Sequence, residues 1–180
     1  MSELFSIQLQ NQQQSRDGVW LDLPTTTEQV QAALRQIGIS SDNPQGLFIS
    51  GYFAEEEKRF AISYNMVLAS NVDELNFLAS RLETLSTGER AELNAALQAP
   101  QSELFSIGRI TDFPENVDYY VHLSDVHGPA QLGDYYLNRS GMVDMPEEWK
   151  GGIDTAQFGR YVAQQEQGVF TEYGYLVKSG

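Results

Sequence analysis

The chain has 180 residues, no cysteine and a formal net charge of −14 at pH 7 from 25 acidic and 11 basic side chains. The lack of cysteine excludes disulfides, thiolate metal sites and cysteine nucleophiles, and the charge makes nucleic acid and anionic membranes poor partners. With 41% hydrophobic residues, the chain has enough apolar side chains to fold. It shows no basic leader and no apolar run long enough to span a membrane, so we expect a cytoplasmic protein.

Residues 1–62 are predicted to form a small sheet with one helix. Apolar and polar residues alternate over 5–9, and the connection QQQSRDG leads into VWLDL at 19–23, which predicts a β-hairpin. The threonines at 25–27 are predicted to supply an N-cap, with Thr25 and Glu28 at the spacing of a capping box, before a helix that Gly38 ends. The apolar face of this helix contains Val30, Ala33, Leu34 and Ile37. A third strand is predicted at 47–49, followed by a turn at Ser50 and Gly51.

Residues 63–110 are predicted to form a central helical domain. Asn71 and Ser86 are candidate N-caps, each with a glutamate three residues later, at Glu74 and Glu89. The apolar residues after Asn71 recur at a helical period and are Leu75, Leu78, Ala79, Leu82 and Leu85. This pattern predicts two short antiparallel helices.

Residues 111–180 are predicted to form an acidic domain of mixed helices and strands. A short helix is predicted over 130–138, and a second helix begins after the candidate cap Asp154. The predicted apolar face of the second helix contains Phe158, Tyr161 and Val162. A terminal hairpin is predicted at 169–177. Because strands and helices follow one another irregularly, we predict an α+β fold with three small domains.

One interval, from the end of the second segment into the third, contains no lysine or arginine. Residues 110–138 contain five carboxylates and four tyrosines but neither lysine nor arginine. Globular surfaces ordinarily mix both signs to relieve repulsion, although a carboxylate run is usually only a soluble surface, and paired tyrosines are more often packing than a binding platform. Combined with a folded core, the interval favours a surface that binds a basic protein groove.

Two patterns allow an enzymatic alternative. His122, Asp125 and His127 have metal-binding side chains in the order H-x-x-D-x-H, which would suit a small metal-dependent hydrolase. That spacing matches no established metal motif. The carboxylate runs at 55–57 and 147–148 could support acid-base chemistry, but neighbouring charges are more often a solvated face. We therefore expect no enzymatic activity, no metal and no cofactor.

The order of several short sequences resembles the ArdA family of antirestriction proteins. The resemblance covers about residues 18–177 and is carried by GVWLDL at 18–23, NVDELNFLA at 71–79, NVD at 116–118, DV at 125–126 with LGDYY at 132–136, ID at 153–154 with FGR at 158–160, and GY at 174–175.

The resemblance implies an elongated, acidic homodimer with three small domains per chain that imitates bent duplex DNA. Its partner would be the methyltransferase and specificity core of a Type I restriction-modification enzyme, with no direct binding to nucleic acid or membranes. The acids that we expect to form the DNA-mimic surface are Asp112, Glu115, Asp118, Asp125, Asp134, Asp144, Glu147 and Glu148. The residues that the resemblance assigns to the antirestriction motif and dimer contacts are Asp125, Val126, Leu132, Gly133, Tyr135, Tyr136 and Leu137. A module for another basic DNA-binding protein is the alternative.

Overall fold

The computed structural model describes residues 3–14, 17–40, 42–100 and 102–178, so Ser15 and Arg16 of the predicted hairpin connection lie outside the described residues. The elements in these ranges are β1 (Phe5–Asn11), β2 (Val19–Leu23), α1 (Thr27–Gln36), β3 (Leu47–Phe53), α2 (Tyr64–Leu68), α3 (Val72–Leu82), α4 (Thr87–Gln98), α5 (Ile107–Thr111), β4 (Tyr120–Leu123), α6 (Pro129–Asp134), α7 (Glu147–Lys150), α8 (Thr155–Glu166), β5 (Val169–Thr171) and β6 (Gly174–Lys178). The predicted α+β class is confirmed. None of these helices combines the length and apolarity that crossing a membrane requires.

The chain divides into two compact units. The first is built from the described residues of Met1–Leu85 and Glu103–Pro114, and the second from those of Ser86–Ser102 and Glu115–Gly180. Both helices predicted for the central segment form, but α3 belongs to the first unit and α4 to the second. The division into three domains stays a prediction.

The first unit contains an antiparallel sheet with the strand order β2-β1-β3. The predicted hairpin is confirmed, with Phe5 opposite Leu23 and Leu9 opposite Val19. One face of this sheet carries the core, where Phe5, Ile7 and Leu9 of β1 are buried. Helices α1 and α3 pack on β2, and α2 packs on β3. Alternation of side chains along the strands therefore sets which residues reach the core.

The turn predicted at Ser50 and Gly51 is wrong, because β3 continues through both residues to Phe53. Gln8 pairs with Gly51 and the next residue of β1, Leu9, pairs with Ile49. Ser50 is therefore an extra residue, which makes this point a β-bulge. A bulge and a turn favour the same small residues, and only pairing with β1 distinguishes them.

The N-cap predicted among the threonines at 25–27 is confirmed at Thr26, not at Thr25, which the capping-box spacing favours. The Thr26 side chain accepts a hydrogen bond from Gln29 N–H. Thr25 is instead bound through its backbone to Asn76 of α3, donating to Asn76 Oδ1 at 2.8 Å and accepting from Asn76 Nδ2 at 3.0 Å. A contact with a residue distant in sequence thus decides which threonine caps. The predicted apolar face and the helix end at Gly38, which has a φ of 78°, are confirmed.

The other predicted caps are confirmed. Asn71 Oδ1 accepts from Glu74 N–H at 2.9 Å at the start of α3. Ser86 and Glu89 form both hydrogen bonds of a capping box at the start of α4. All five apolar residues predicted for the face of α3 and its end are buried. Capping depends on residues three apart, which explains why the sequence predicts it well.

The second unit contains an antiparallel sheet with the strand order β4-β6-β5. The predicted terminal hairpin forms β5 and β6, and α4 packs against β6. Strand β4 was not predicted, because four residues are too few to show an alternating pattern. It pairs with β6, with Val121 opposite Val177.

Helices α6 and α8 pack with their backbones in close approach. A Cβ atom at Gly133 would lie 1.9 Å from Thr155 O, and one at Gly159 would lie 1.7 Å from Pro129 O. The buried face of α8 therefore contains Gly159 and Ala163. The apolar face predicted for this helix is wrong at Tyr161, which is 60% exposed.

The helix predicted over 130–138 is confirmed as α6 followed by a π-helical turn at Tyr135–Arg139. In this turn Ser140 N–H donates to Tyr135 O at 2.8 Å, and the Ser140 hydroxyl donates to Tyr136 O at 2.8 Å. The side chain thus satisfies a carbonyl oxygen at the end of the wider turn.

Candidate functional site

All eight acids predicted for the DNA-mimic surface have exposed side chains. Asp112 belongs to the first unit and the other seven to the second. They lie in short or irregular segments: the residue after α5, 3₁₀ turns at Phe113–Glu115 and Val117–Tyr119, the turn after β4, the end of α6, a loop, and α7. Short elements of this kind bring carboxylates to the surface without burying their backbone.

Asp125, Glu147 and Asp134 each contact a polar side chain within the second unit. Arg139 Nη1 lies 3.1 Å from Asp125 Oδ2, and Lys150 Nζ lies 2.9 Å from Glu147 Oε1. Asn138 Nδ2 donates to Asp134 Oδ1 at 2.8 Å. The surface is therefore less uniformly negative than its sequence indicates.

Arg139 places a cation against the cation-free interval. It is the first residue after that interval, and its guanidinium lies against Asp125, fourteen residues earlier. Its hydrogen bond lowers the pKa of the Asp125 carboxyl, with a smaller contribution from its charge. The guanidinium also lies 5.2 Å from the centre of the Tyr135 ring. The interval itself contains no lysine or arginine, but the fold places the Arg139 guanidinium beside Asp125 and Tyr135 of the predicted motif.

Glu92 of α4 is a half-buried acid that sequence analysis missed. Burial, together with the charges of Glu89 and Asp118, raises its pKa to about 7. Its Oε2 atom is enclosed and has no hydrogen-bond partner among the described residues. One carboxyl beside the predicted surface is therefore partly protonated near neutral pH.

The predicted motif residues lie mostly inside the second unit. Val126, Leu132 and Leu137 are buried, and Gly133 lies at the backbone contact of α6 with α8. Val126 and Leu132 share one cluster with Ala163 and Tyr175. The structure thus gives these four motif residues a packing role. Their role in dimer contacts stays a prediction, as does that of the half-buried Tyr135 and Tyr136.

The Glu166 carboxylate accepts hydrogen bonds from two tyrosines in this core. Tyr175 Oη donates to Glu166 Oε2 at 2.6 Å, and Tyr136 Oη donates to Glu166 Oε1. Burial raises the pKa of both phenols, and the hydrogen bonds to Glu166 raise them further. The absence of a side chain at Gly168 makes room for the Tyr175 hydroxyl, since a Cβ there would lie 2.0 Å from Tyr175 Oη. We call this group the tyrosine clamp.

Glu166 was not predicted as part of any site. It follows Gly159 and Ala163 at helical spacing on the buried face of α8. That spacing was the available signal, because an acid on a buried face needs hydrogen-bond donors nearby. The acid thus serves the core, while most other acids serve the surface.

The three candidate metal ligands are not brought together. His122 Nε2 donates a hydrogen bond to Tyr173 O at 2.7 Å, so this nitrogen carries a proton and is not free to bind a metal. Asp125 pairs with Arg139, and His127 is exposed. Across 3–14, 17–40, 42–100 and 102–178, no group of three His, Cys, Asp or Glu residues is arranged to hold a metal ion.

Comparison with known proteins agrees with the order of motifs. The family model described as antirestriction protein (ArdA) matches residues 13–177. Comparison with curated individual proteins finds no match. The family match begins after β1 and covers β2 and β3 of the first sheet, the tyrosine clamp and all eight predicted surface acids. Membership implies an antirestriction function and suggests interaction with restriction enzymes. The chain therefore belongs to the ArdA family of antirestriction proteins.

Proposed function

We propose that this chain mimics double-stranded DNA and occupies the DNA-binding groove of Type I restriction-modification enzymes, so that incoming DNA escapes cleavage. One observation carries the proposal: every Asp and Glu side chain is exposed apart from Glu83, Glu89, Glu92 and Glu166, which are half-buried. Membership of an antirestriction family supports the same function.

The physical basis is a match between carboxylates and phosphates. Duplex DNA carries one charge per about 1.7 Å of axis, so 25 carboxylates equal the charge on about 40 Å of duplex. A groove lined by lysine and arginine contacts phosphates largely without regard to base sequence, so carboxylates can satisfy the same donors. Asp118, Asp144 and Glu148 support this role, because they are exposed and contact no cation in the described parts of the chain. The mechanism needs neither catalysis nor a cofactor.

The proposal includes a homodimer, which would extend the acidic surface beyond one chain. Tyr135 and Tyr136 are half-buried and could complete their burial against a second copy. Light scattering at micromolar concentration tests this part, and a species of 20.2 kDa alone would reject it.

The decisive experiment is DNA cleavage by a Type I enzyme at increasing concentrations of this protein. The matched pair of variants is a fivefold Asn/Gln exchange within the cation-free interval and a fivefold exchange of exposed acids in the first unit. The first changes Asp112, Glu115, Asp118, Asp125 and Asp134. The second changes Glu28, Asp42, Glu56, Asp73 and Glu74.

Each exposed ion pair contributes only about 0 to 1 kcal/mol, so single exchanges should be nearly silent. The interval variant should lose more than about tenfold in affinity, equivalent to about 1.4 kcal/mol, and the control variant less. Circular dichroism should confirm both folds. Inhibition that collapses on exchange of one acid would indicate a catalytic residue instead, and inhibition that survives in the interval variant would contradict a charge-based mimic. Binding only to other basic DNA-binding proteins would indicate the more general acidic module.

A further inference from the structure

The first sheet has a second face that carries exposed aromatic side chains. Trp20, Phe48 and Phe53 are 50%, 41% and 56% exposed. The strand registers place them on the side opposite the buried core residues, with Trp20 beside Gln8, Phe48 beside Gln10 and Phe53 beside Ser6. We call this side the outer face of the first sheet. Three large aromatic rings on one uncovered face are more than scattered surface apolar residues.

Trp20 lies across the sheet rather than away from it. It belongs to β2, yet its indole reaches Gly51 of β3 by crossing β1. A Cβ at Gly51 would lie 3.0 Å from Trp20 Cη2 and 3.1 Å from Gln8 Cβ. Glycine within a strand weakens pairing, and its occurrence here leaves room for the edge of the indole ring. The result is an aromatic platform in which Trp20 crosses the sheet and remains 50% exposed.

Carboxylates border this platform. Asp22 points to the same side, and the Ser6 hydroxyl donates to Asp22 Oδ1 at 2.6 Å. Hydrogen bonding with Asp22, and its charge, raise the pKa of the neighbouring Glu3 carboxyl. Lys58 lies in the same cleft but is already engaged, with Nζ 4.0 Å from Glu55 Oε2 and 3.4 Å from Glu3 O. A further cation would relieve the repulsion between Asp22 and Glu3.

We propose that the outer face of the first sheet binds arginine side chains of the restriction enzyme, as a second contact separate from the acidic interval. This inference rests on the proposed function. Apolar partners would leave the border carboxylates unpaired, and nucleic acid would be repelled. Guanidinium suits both parts of the surface, since its flat face stacks on indole while its forked N–H groups bind carboxylates. Lysine has the same charge but lacks that planar fork.

The test uses the full chain and an intrinsic probe. Trp20 and Trp149 are the two tryptophans, and Trp149 is exposed, so the variant Trp149→Phe leaves Trp20 as the single indole reporter. Its emission is titrated with hexa-arginine and with hexa-lysine peptides of equal charge. Phe53→Ala and Asp22→Asn are then compared, in that background, with the control changes Phe77→Ala and Asp42→Asn at exposed positions outside the platform.

Hexa-arginine should change Trp20 emission saturably and bind at least about fivefold more tightly than hexa-lysine. The two platform variants should each weaken arginine binding by about two- to fivefold, and the two control variants should not. Equal affinity for the two peptides, or equal effects of platform and control variants, would overturn the inference.

A second measurement separates this inference from the proposed function. The double variant Trp20→Ala with Phe53→Ala should need at least about fivefold more protein than the wild type for half-inhibition of the Type I enzyme. Wild-type inhibition with an unaffected double variant would overturn the arginine contact alone. No wild-type inhibition would refute the proposed function, and the peptide titration would still decide whether the platform selects arginine.

Discussion

Removing the Glu166 carboxylate should destabilise the protein more than removing any exposed acid. Tyr175 is fully buried, and its hydroxyl depends on Glu166 Oε2 at 2.6 Å. Hydrogen bonds to charged groups contribute about 1.5 to 3 kcal/mol each, and the partial exposure of Glu166 favours the lower end. With two tyrosines bound, Glu166→Ala should lower the free energy of unfolding by about 3 kcal/mol. Glu166→Gln should cost less, because one acceptor oxygen remains.

The assay is urea unfolding followed by far-ultraviolet circular dichroism, with Glu172→Ala as the control. Glu172 is exposed and accepts one hydrogen bond, from Gln98 Nε2 at 2.9 Å. Both variants remove one negative charge, so the general relief of repulsion is similar and their difference reports the clamp. A difference below about 0.5 kcal/mol would refute the reasoning, because that is the usual scale of an unspecialised surface change.

The same clamp should make the protein sensitive to alkali. The pKa of Tyr175 is raised above the ordinary value of 10.0 because burial and Glu166 disfavour the phenolate. Its contribution to stability is therefore complete below pH 10 and is lost as pH rises towards the folded-state pKa. Between pH 9 and pH 11 the urea midpoint of the wild type should fall more steeply than that of Tyr175→Phe. Parallel midpoints would contradict the proposed cause of the shift.

Three further changes test the packing and the charges. Gly159→Ala should lower the free energy of unfolding in urea by at least about 3 kcal/mol, because the added Cβ would lie 1.7 Å from Pro129 O. The control Gly88→Ala places a Cβ in open space on α4 and should be neutral or stabilising by up to about 1 kcal/mol. Glu92→Gln should stabilise the protein by about 1 to 2 kcal/mol at pH 8 and by little at pH 4. The pKa of Glu92 is raised from 4.5 to about 7, so the wild-type side chain is neutral below about pH 4.5, and its stabilising contribution is lost as pH rises through about 7. Arg139→Gln should tighten inhibition of the restriction enzyme up to about threefold in low salt, because it releases the carboxylate that it pairs with; weaker inhibition by a folded variant would count against a negative binding surface.

Local signals predicted much of the fold. The caps at Asn71 and Ser86, both hairpins and the helix end at Gly38 depend on residues close in sequence, and all of them formed. The exact residue could not be predicted where a contact distant in sequence decided the outcome. Thr25 is held by Asn76 from α3, so the neighbouring threonine caps the helix instead. Tertiary hydrogen bonds of this kind override local preference and leave no mark in a short sequence window.

The candidate site was predictable in charge but not in pairing. Composition indicated an acidic surface, and the predicted acids are exposed because ionised carboxylates remain in water unless paired. The partnership of Asp125 with Arg139 required the return of the chain through α6. The burial of Glu92 likewise depends on how α4 packs. The sequence shows which acids are present, while the fold determines which of them are paired with a cation or protonated.

The π-helical turn at Tyr135–Arg139 makes chain length, as well as composition, a constraint on this protein. Removing one residue from the turn would restore regular helical phase and rotate the following residues by about 100°. Arg139 would then leave Asp125, and the Ser140 hydroxyl would no longer meet Tyr136 O. Exchange of one surface acid for another leaves this geometry intact. The segment should thus tolerate exchange of its surface acids better than a single insertion or deletion.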